Sequence, residues 1–174
     1  NNIVYDNTII GDSYSVGISL LYEEETQLLR NNISNVGIGI EITASDSTTV
    51  KGNIIENISS DSDGPCGYSG DCGYGIYLHD DWKCINDCSN GNDNNLDSNT
   101  LVGYNESYTY GVSVDSEENV IIQNSDISGF AQGIYIYDTT TPKINSNLIY
   151  ENCEGVYFPC SFCEKTPGWE TGIN

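Results

Sequence analysis

Positive charge is scarce in this chain of 174 residues, where 5 Lys and Arg stand against 26 Asp and Glu for a formal net charge of −21. An excess of that size and sign is repelled by phosphate backbones and by anionic bilayer surfaces, which excludes nucleic acid as a partner. No apolar run is long enough to span a bilayer and no charged-then-apolar stretch precedes one, so membrane insertion by this segment is excluded as well. An apolar stripe of helical period is also missing, which removes a helical fold from consideration. Histidine occurs once, as His79. The chain opens inside a strand pattern without Met, and we expect a mature piece or a fragment of something longer.

What is present is a repeat. Its first half, apolar-x-x-Asn-x-apolar, reads Val4, Asn7, Ile9; Leu28, Asn31, Ile33; Val50, Asn53, Ile55; Leu96, Asn99, Leu101; Ile121, Asn124, Ile127; and Ile144, Asn147, Ile149. Its second half is Gly followed by an apolar alternation, as in Gly17-Ile18-Ser19-Leu20, Gly39-Ile40-Glu41-Ile42, Gly75-Ile76-Tyr77-Leu78, Gly111-Val112-Ser113-Val114, Gly133-Ile134-Tyr135-Ile136 and Gly155-Val156-Tyr157-Phe158. Repeats at a period near 22 residues mean a solenoid. The Asn positions step by 24, 22, 46, 25 and 23 residues (7 to 31, 31 to 53, 53 to 99, 99 to 124, 124 to 147), so either a turn is missing or one coil carries insertions. The excess falls in both halves of that step, which points to two loops on the third coil, about residues 59–74 and 79–95.

Each unit alternates over three or four positions, is rich in Ile, Val and Leu, and is bounded by Asn, Asp, Ser and Gly, a pattern of short strands. Strands that stack on their counterparts one period later make a parallel β-helix, rising about 4.8 Å per coil. These motifs resemble those of the right-handed parallel β-helix repeat proteins, the pectin-lyase-like fold, over roughly residues 3–158. The resemblance implies an all-β solenoid of about six coils forming a single domain over 1–174. It also implies an internal ladder of side-chain amides from Asn7, Asn31, Asn53, Asn99, Asn124 and Asn147. In such a ladder a buried amide bonds to backbone and to its neighbours, so no polar group is left unsatisfied. Asp126, inserted before Ile127, predicts a bulge on the fifth coil.

Seven cysteines sit mainly in loops, with Cys66 near Cys72, Cys84 near Cys88, and Cys153, Cys160 and Cys163 together. Local clustering of this kind predicts disulfides formed in an oxidising compartment, hence an extracellular or cell-surface protein. The odd thiol would cross-link another chain or pair with a cysteine beyond Asn174. Zinc is the competing reading of Cys84-x-x-x-Cys88 and Cys160-x-x-Cys163, but the compact paired pattern of a zinc ribbon is missing. Sequons at Asn32, Asn57 and Asn105 would accept glycans in a secreted protein.

The two long loops flank the strand Gly75–Leu78 and would wall a site on the solenoid's side. They gather His79, Asp80, Asp81 and Trp82, a constellation in which two carboxylates beside an aromatic suit glycosidic chemistry, one as proton donor and one to activate water. The alternative is a solvated acidic loop. Asp61 and Asp63 in the first loop, and Asp93 and Asp97 beside the second, supply oxygen ligands that would suit calcium, although no complete EF-hand loop is present. Tyr77, Tyr135 and Tyr157 occupy outward positions of the Gly strand, where an aromatic strip can bind sugar rings or protein; Tyr135 and Tyr157 lie on adjacent coils and should stack.

The resemblance tests the enzyme reading. Pectate-lyase-like enzymes use an Arg or Lys base with calcium, and polygalacturonase-like enzymes carry Asn-Thr-Asp, Asp-Asp, Gly-His-Gly and Arg-Ile-Lys motifs. Here Asp80-Asp81 alone has a counterpart, and the five basic residues are scattered. The preferred expectation is therefore a structural or adhesive surface module whose open end coils contact other copies of itself, forming filaments or a surface layer, or contact neighbouring surface proteins and glycans. The alternative is a carbohydrate-active enzyme or binding module centred on 79–82.

Overall fold

The computed structural model describes residues 1–60, 72–80 and 92–159, and over these the chain is a parallel β-helix. The first coil runs through β1 (Ile3–Tyr5), β2 (Thr8–Ile10) and β3 (Val16–Leu21), and the second through β4 (Gln27–Leu29), β5 (Asn32–Ser34) and β6 (Ile38–Thr43). Coil three is β7 (Thr49–Lys51), β8 (Ile54–Ile58) and β9 (Gly73–His79); coil four is β10 (Asn95–Asp97), β11 (Thr100–Gly103) and β12 (Thr109–Asp115). Coil five is β13 (Ile121–Gln123), β14 (Asp126–Ser128) and β15 (Gln132–Tyr137); coil six is β16 (Lys143–Asn145), β17 (Leu148–Tyr150) and β18 (Glu154–Tyr157). Every third strand pairs in parallel, giving three sheets of six strands each.

Strands of three residues cannot persist alone; they hold because their inward residues stack like on like. Leu28, Val50, Leu96 and Ile122 form one buried row in the first sheet, and Ile33, Ile55, Leu101 and Ile127 another in the second. The third sheet contributes two rows, Ile40, Ile76, Val112 and Ile134, and Ile42, Leu78, Val114 and Ile136. Each such side chain contributes about 1.5–3 kcal/mol by leaving water. The Gly near the start of the third strand of coils one to five is dictated by closeness. A Cβ on Gly17 would lie 2.5 Å from Ile33 Cγ2 and 2.6 Å from the Gly39 carbonyl oxygen, and one on Gly75 2.5 Å from the Gly111 carbonyl oxygen.

The amide ladder runs at the corner between the first and second sheets. Asn7 Nδ2 donates to Asn31 Oδ1 at 3.0 Å, Asn31 Nδ2 to Asn53 Oδ1 at 3.0 Å, and Asn53 Nδ2 to Asn99 Oδ1 at 3.1 Å. Because Asn53 and Asn99 bond directly, the 46-residue step is one coil with insertions and no turn is missing. The inserted stretches 61–71 and 81–91 lie outside the described residues.

Coil five departs from expectation. Ser125, not Asn124, holds the ladder position: Asn99 N donates to Ser125 Oγ at 3.2 Å, and Ser125 N donates to Asn147 Oδ1 at 2.9 Å. The reason lies one residue earlier. Asp6, Arg30, Gly52, Ser98, Asn124 and Ser146 all adopt positive φ, between 52° and 66°, and make the corner that turns the following side chain inward. Asn tolerates that conformation, so Asn124 takes the corner, and its Nδ2 donates outward to Asp97 Oδ1 at 2.9 Å. Ile122 accordingly replaces Ile121 as the inward residue, Asp126 is not an insertion, and the register of β14 is unbroken. The irregularity sits instead on coil four, between Val102 and Gly103.

Asn53→Ala removes the acceptor for Asn31 N and Nδ2 and the donor to the Leu28 carbonyl and Asn99 Oδ1. It should lower the unfolding free energy by about 2–5 kcal/mol, read as a fall in the urea midpoint at unchanged slope.

Candidate functional site

The outer face of the third sheet is the candidate site. Strand alternation turns Tyr77 and His79 outward on β9 while Ile76 and Leu78 fill the core. Register then places Ser19, Glu41, Tyr77, Ser113, Tyr135 and Tyr157 in one row, and Thr43, His79, Asp115 and Tyr137 in the next.

Aromatic rings form a ridge along this face. Tyr77 stacks on His79 with centroids 4.2 Å apart and on Tyr74 at 4.4 Å; Tyr74 stacks on Tyr110 at 5.1 Å. Tyr110 meets Tyr135 edge-on at 5.4 Å, and Tyr135 stacks on Tyr157 at 5.9 Å, as the outward spacing predicted. The ridge crosses four coils, about 14 Å at roughly 4.8 Å per coil. Tyr74 and Tyr110 were not picked out from sequence, although both stand immediately before the Gly of the repeat, or one residue ahead of it, where the alternation resets.

Beside the ridge lies a histidine–carboxylate pair. His79 Nε2 is 3.5 Å from Glu41 Oε1 and 3.1 Å from Thr43 Oγ1, while Nδ1 lies 2.9 Å from the Asp80 carbonyl oxygen and donates to it. Burial pulls the imidazole down, but Glu41, the Asp80 carbonyl and Asp115 outweigh it and leave its pKa raised. Glu41 is lowered by its hydrogen bond to His79, against burial, and Ser19 Oγ adds a bond to its other oxygen at 2.8 Å. His79 ends β9 on its outer face with Asp80 directly after it, and Glu41, one coil earlier and in register with Tyr77, approaches His79. Asp81 and Trp82 lie outside the described residues, as do Asp61, Asp63, Cys66, Cys84, Cys88, Cys160 and Cys163.

The other predicted positions are dispersed. Asp97 on β10 holds Lys51 Nζ at 2.6 Å and accepts from Asn124 Nδ2 and Ser98 Oγ, both at 2.9 Å; Asn124 first and Lys51 next hold its pKa down to about 2. Asp93 is exposed at the corner before β10. No group of three or more His, Cys, Asp or Glu that could hold a metal ion occurs among the described residues. Cys72 leads into β9, and Cys153 is exposed and not bonded to another cysteine. Asn32 and Asn105 are exposed, while Asn57 Nδ2 donates to Asn35 Oδ1 at 3.2 Å.

One group that sequence pattern does not reveal is Glu117, fully buried at the corner between the third and first sheets. Its Oε2 accepts from Asn94 Nδ2 at 2.9 Å, and its Oε1 has no partner. Burial pushes its carboxyl up to about 8, opposed by Asn94, with Asp80 and Asp46 adding repulsion and His79 relieving it.

The family described as "NosD: Periplasmic copper-binding protein (NosD)" matches residues 1–82, just under half of this chain. No curated protein and no solved structure matches it. The NosD likeness and the three all-parallel sheets agree on the parallel β-helix.

The raised carboxyl sets a pH dependence. Below the unfolded value near 4.5 Glu117 is protonated in both states and its contribution is fully present. As pH rises from there through about 8 the unfolded chain ionises while the folded chain holds the proton, so stability is lost across that window. Thermal unfolding of the wild type should fall by about 5 °C or more between pH 5 and pH 9, and Glu117→Gln should flatten that dependence.

Proposed function

We propose that this chain is a rigid β-helix module of the cell envelope or cell surface that acts as an adhesive scaffold, holding the outer face of its third sheet against surface glycans. The observation that carries the reading is the ridge of Tyr74, Tyr77, Tyr110, Tyr135 and Tyr157, stacked across four coils and bordered by Glu41, His79 and Asp115. An aromatic surface of that length, fringed by hydroxyls and carboxylates, suits an extended polyol chain better than a small molecule or an ion. Seven cysteines and the likeness to a family described as periplasmic support an oxidising location outside the cytoplasm.

Hydrolysis fits the face less well. A glycosidase needs an accessible carboxyl held protonated beside an ionised one. Glu41 is held ionised by His79, while Glu117, the carboxyl pushed up to about 8, is fully buried. Copper, which the NosD description names, also fits poorly. The chain has no Met and one His, so its soft donors are confined to cysteines, and the described residues gather no metal-binding group.

A panel of immobilised glycans tests the reading. Wild type should bind a subset of them, and Tyr77→Ala and Tyr135→Ala should each weaken binding tenfold or more, about 1.4 kcal/mol. Far-UV circular dichroism should stay unchanged, because both side chains point out of the core. Binding equal to wild type in both variants would sink the adhesive reading, and turnover of a bound glycan would replace it with a hydrolytic one.

A further inference from the structure

We infer that a cleft at the coil-four-to-six end of the tyrosine ridge is a subsite for a single uncharged sugar ring, so that the glycan bound is neutral and not a polyuronate; this rests on the adhesive reading above. The register row that carries Tyr74 and Tyr110 changes chemistry on the last two coils, to Gln132 and then Glu154. Together with Tyr108, Ala131 and Cys153, the residues Tyr110, Gln132 and Glu154 line an open cleft of about 220 Å³. That is the space of about seven waters at roughly 30 Å³ each, which holds one pyranose and not a chain.

The polar groups in the cleft suit hydroxyls. Gln132 Nε2 donates to Glu154 Oε2 at 2.7 Å, which orients amide and carboxylate side by side. The second amide hydrogen and Glu154 Oε1 then offer a donor and an acceptor to neighbouring hydroxyls of one ring, and Tyr108 and Tyr110 supply the apolar wall.

Charge selects against acidic sugars. Arg30 is paired with Asp6 at 2.8 Å and Lys51 with Asp97 at 2.6 Å, both at the first-sheet side, and Lys143 lies on β16 of the first sheet. Among the described residues no lysine or arginine belongs to the third sheet, whose outer rows carry Glu41, Asp115 and Glu154. A uronate in the cleft would meet Glu154 without a counter-charge in a protein of net charge −21.

Calorimetric titration of the whole chain with glucose, galactose and mannose trisaccharides, and with uronic-acid trisaccharides of the same linkages, tests this. At least one neutral trisaccharide should bind, tenfold or more tighter than its uronic counterpart. Gln132→Ala should weaken that binding tenfold, and Glu154→Gln should bring the uronic ligand to within about threefold of the neutral one. Equal or tighter binding of the uronic ligand overturns the proposal. If Gln132→Ala and Glu154→Gln bind as wild type while Tyr77→Ala does not, the ridge binds glycan and the cleft proposal alone fails. Absence of binding by any trisaccharide and any immobilised glycan removes both.

Discussion

A side-chain amide that accepts from one coil and donates to the next is the constraint on which the rest of this molecule depends. The corner between the first and second sheets must turn the chain within one or two residues, and the backbone groups there face inward, away from water. Asn31 meets that need alone. Its Oδ1 accepts from Asn7 N and Nδ2, its Nδ2 donates to the Val4 carbonyl and to Asn53 Oδ1, and its backbone N–H donates to Asn53 Oδ1. Asn53 repeats the set one coil on. Buried polar groups are tolerable only when their bonds are complete, and here completion comes from a side-chain acceptor on the next coil, an Asn amide for Asn7, Asn31 and Asn53 and the Ser125 hydroxyl for Asn99. The spacing of coils, the identity of the corner residue and the stacking of like on like follow from this one requirement.

In-register stacking poses an electrostatic difficulty for so acidic a chain, since identical residues one coil apart would bring carboxylates within about 4.8 Å of one another. The strands resolve it by interleaving. Asp97 lies between Lys51 and Gln123, Asp115 between His79 and Tyr137, Glu41 between Ser19 and Tyr77, Asp126 between Thr100 and Leu148, and Glu154 beside Gln132. Among the described strands no two carboxylates are register neighbours. The exception lies outside them, at the corner bridge of Glu24 and Asp46, where solvent screens the pair. The core rows repeat because packing rewards repetition, and the outer rows vary because charge penalises it. Variation on the outer rows is what leaves a face able to recognise something.

The same division explains what could be read in advance. Inward Ile, Val and Leu and the Gly of the third strand recur in every coil, and the Asn rung in five of six, so a single chain carries its own alignment and the β-helix was legible. The ladder failed at the one place where two residues competed for the letter Asn. Asn124 suits both a left-handed corner and a ladder rung, and only the unchanged distance from Ile122 to Ile127 in sequence marks Ser125 as the rung. The site was legible in part. Position along the motif predicted the stack of Tyr135 on Tyr157 and brought His79 and Asp80 forward, but Glu41 approaches His79 from the preceding coil, a neighbour that register reveals and local spacing does not. Glu117 was hidden because it stands at a corner outside the repeated motif, so nothing in the repeat marks it as buried.

Stacking also decides how the tyrosine ridge can be used. Tyr77 lies between His79 and Tyr74 at 4.2 and 4.4 Å, with interplanar angles of 21° and 9°, so both faces of its ring are already covered by neighbours. A ring in that position offers a partner its edge, not its π-face. On the adhesive reading proposed above, recognition along the middle of the ridge would fall to hydrogen bonds and edge contacts, which would hold a chain of hydroxyls in register with the coils without gripping any one ring. If the cleft beside Tyr108 and Tyr110 takes a sugar ring as proposed, it would do so because an aromatic wall there faces open space opposite an amide and a carboxylate. If both proposals hold, a long, weakly selective ridge with one selective cleft beside it would suit an adhesive surface, in which length gives affinity and a single position gives specificity.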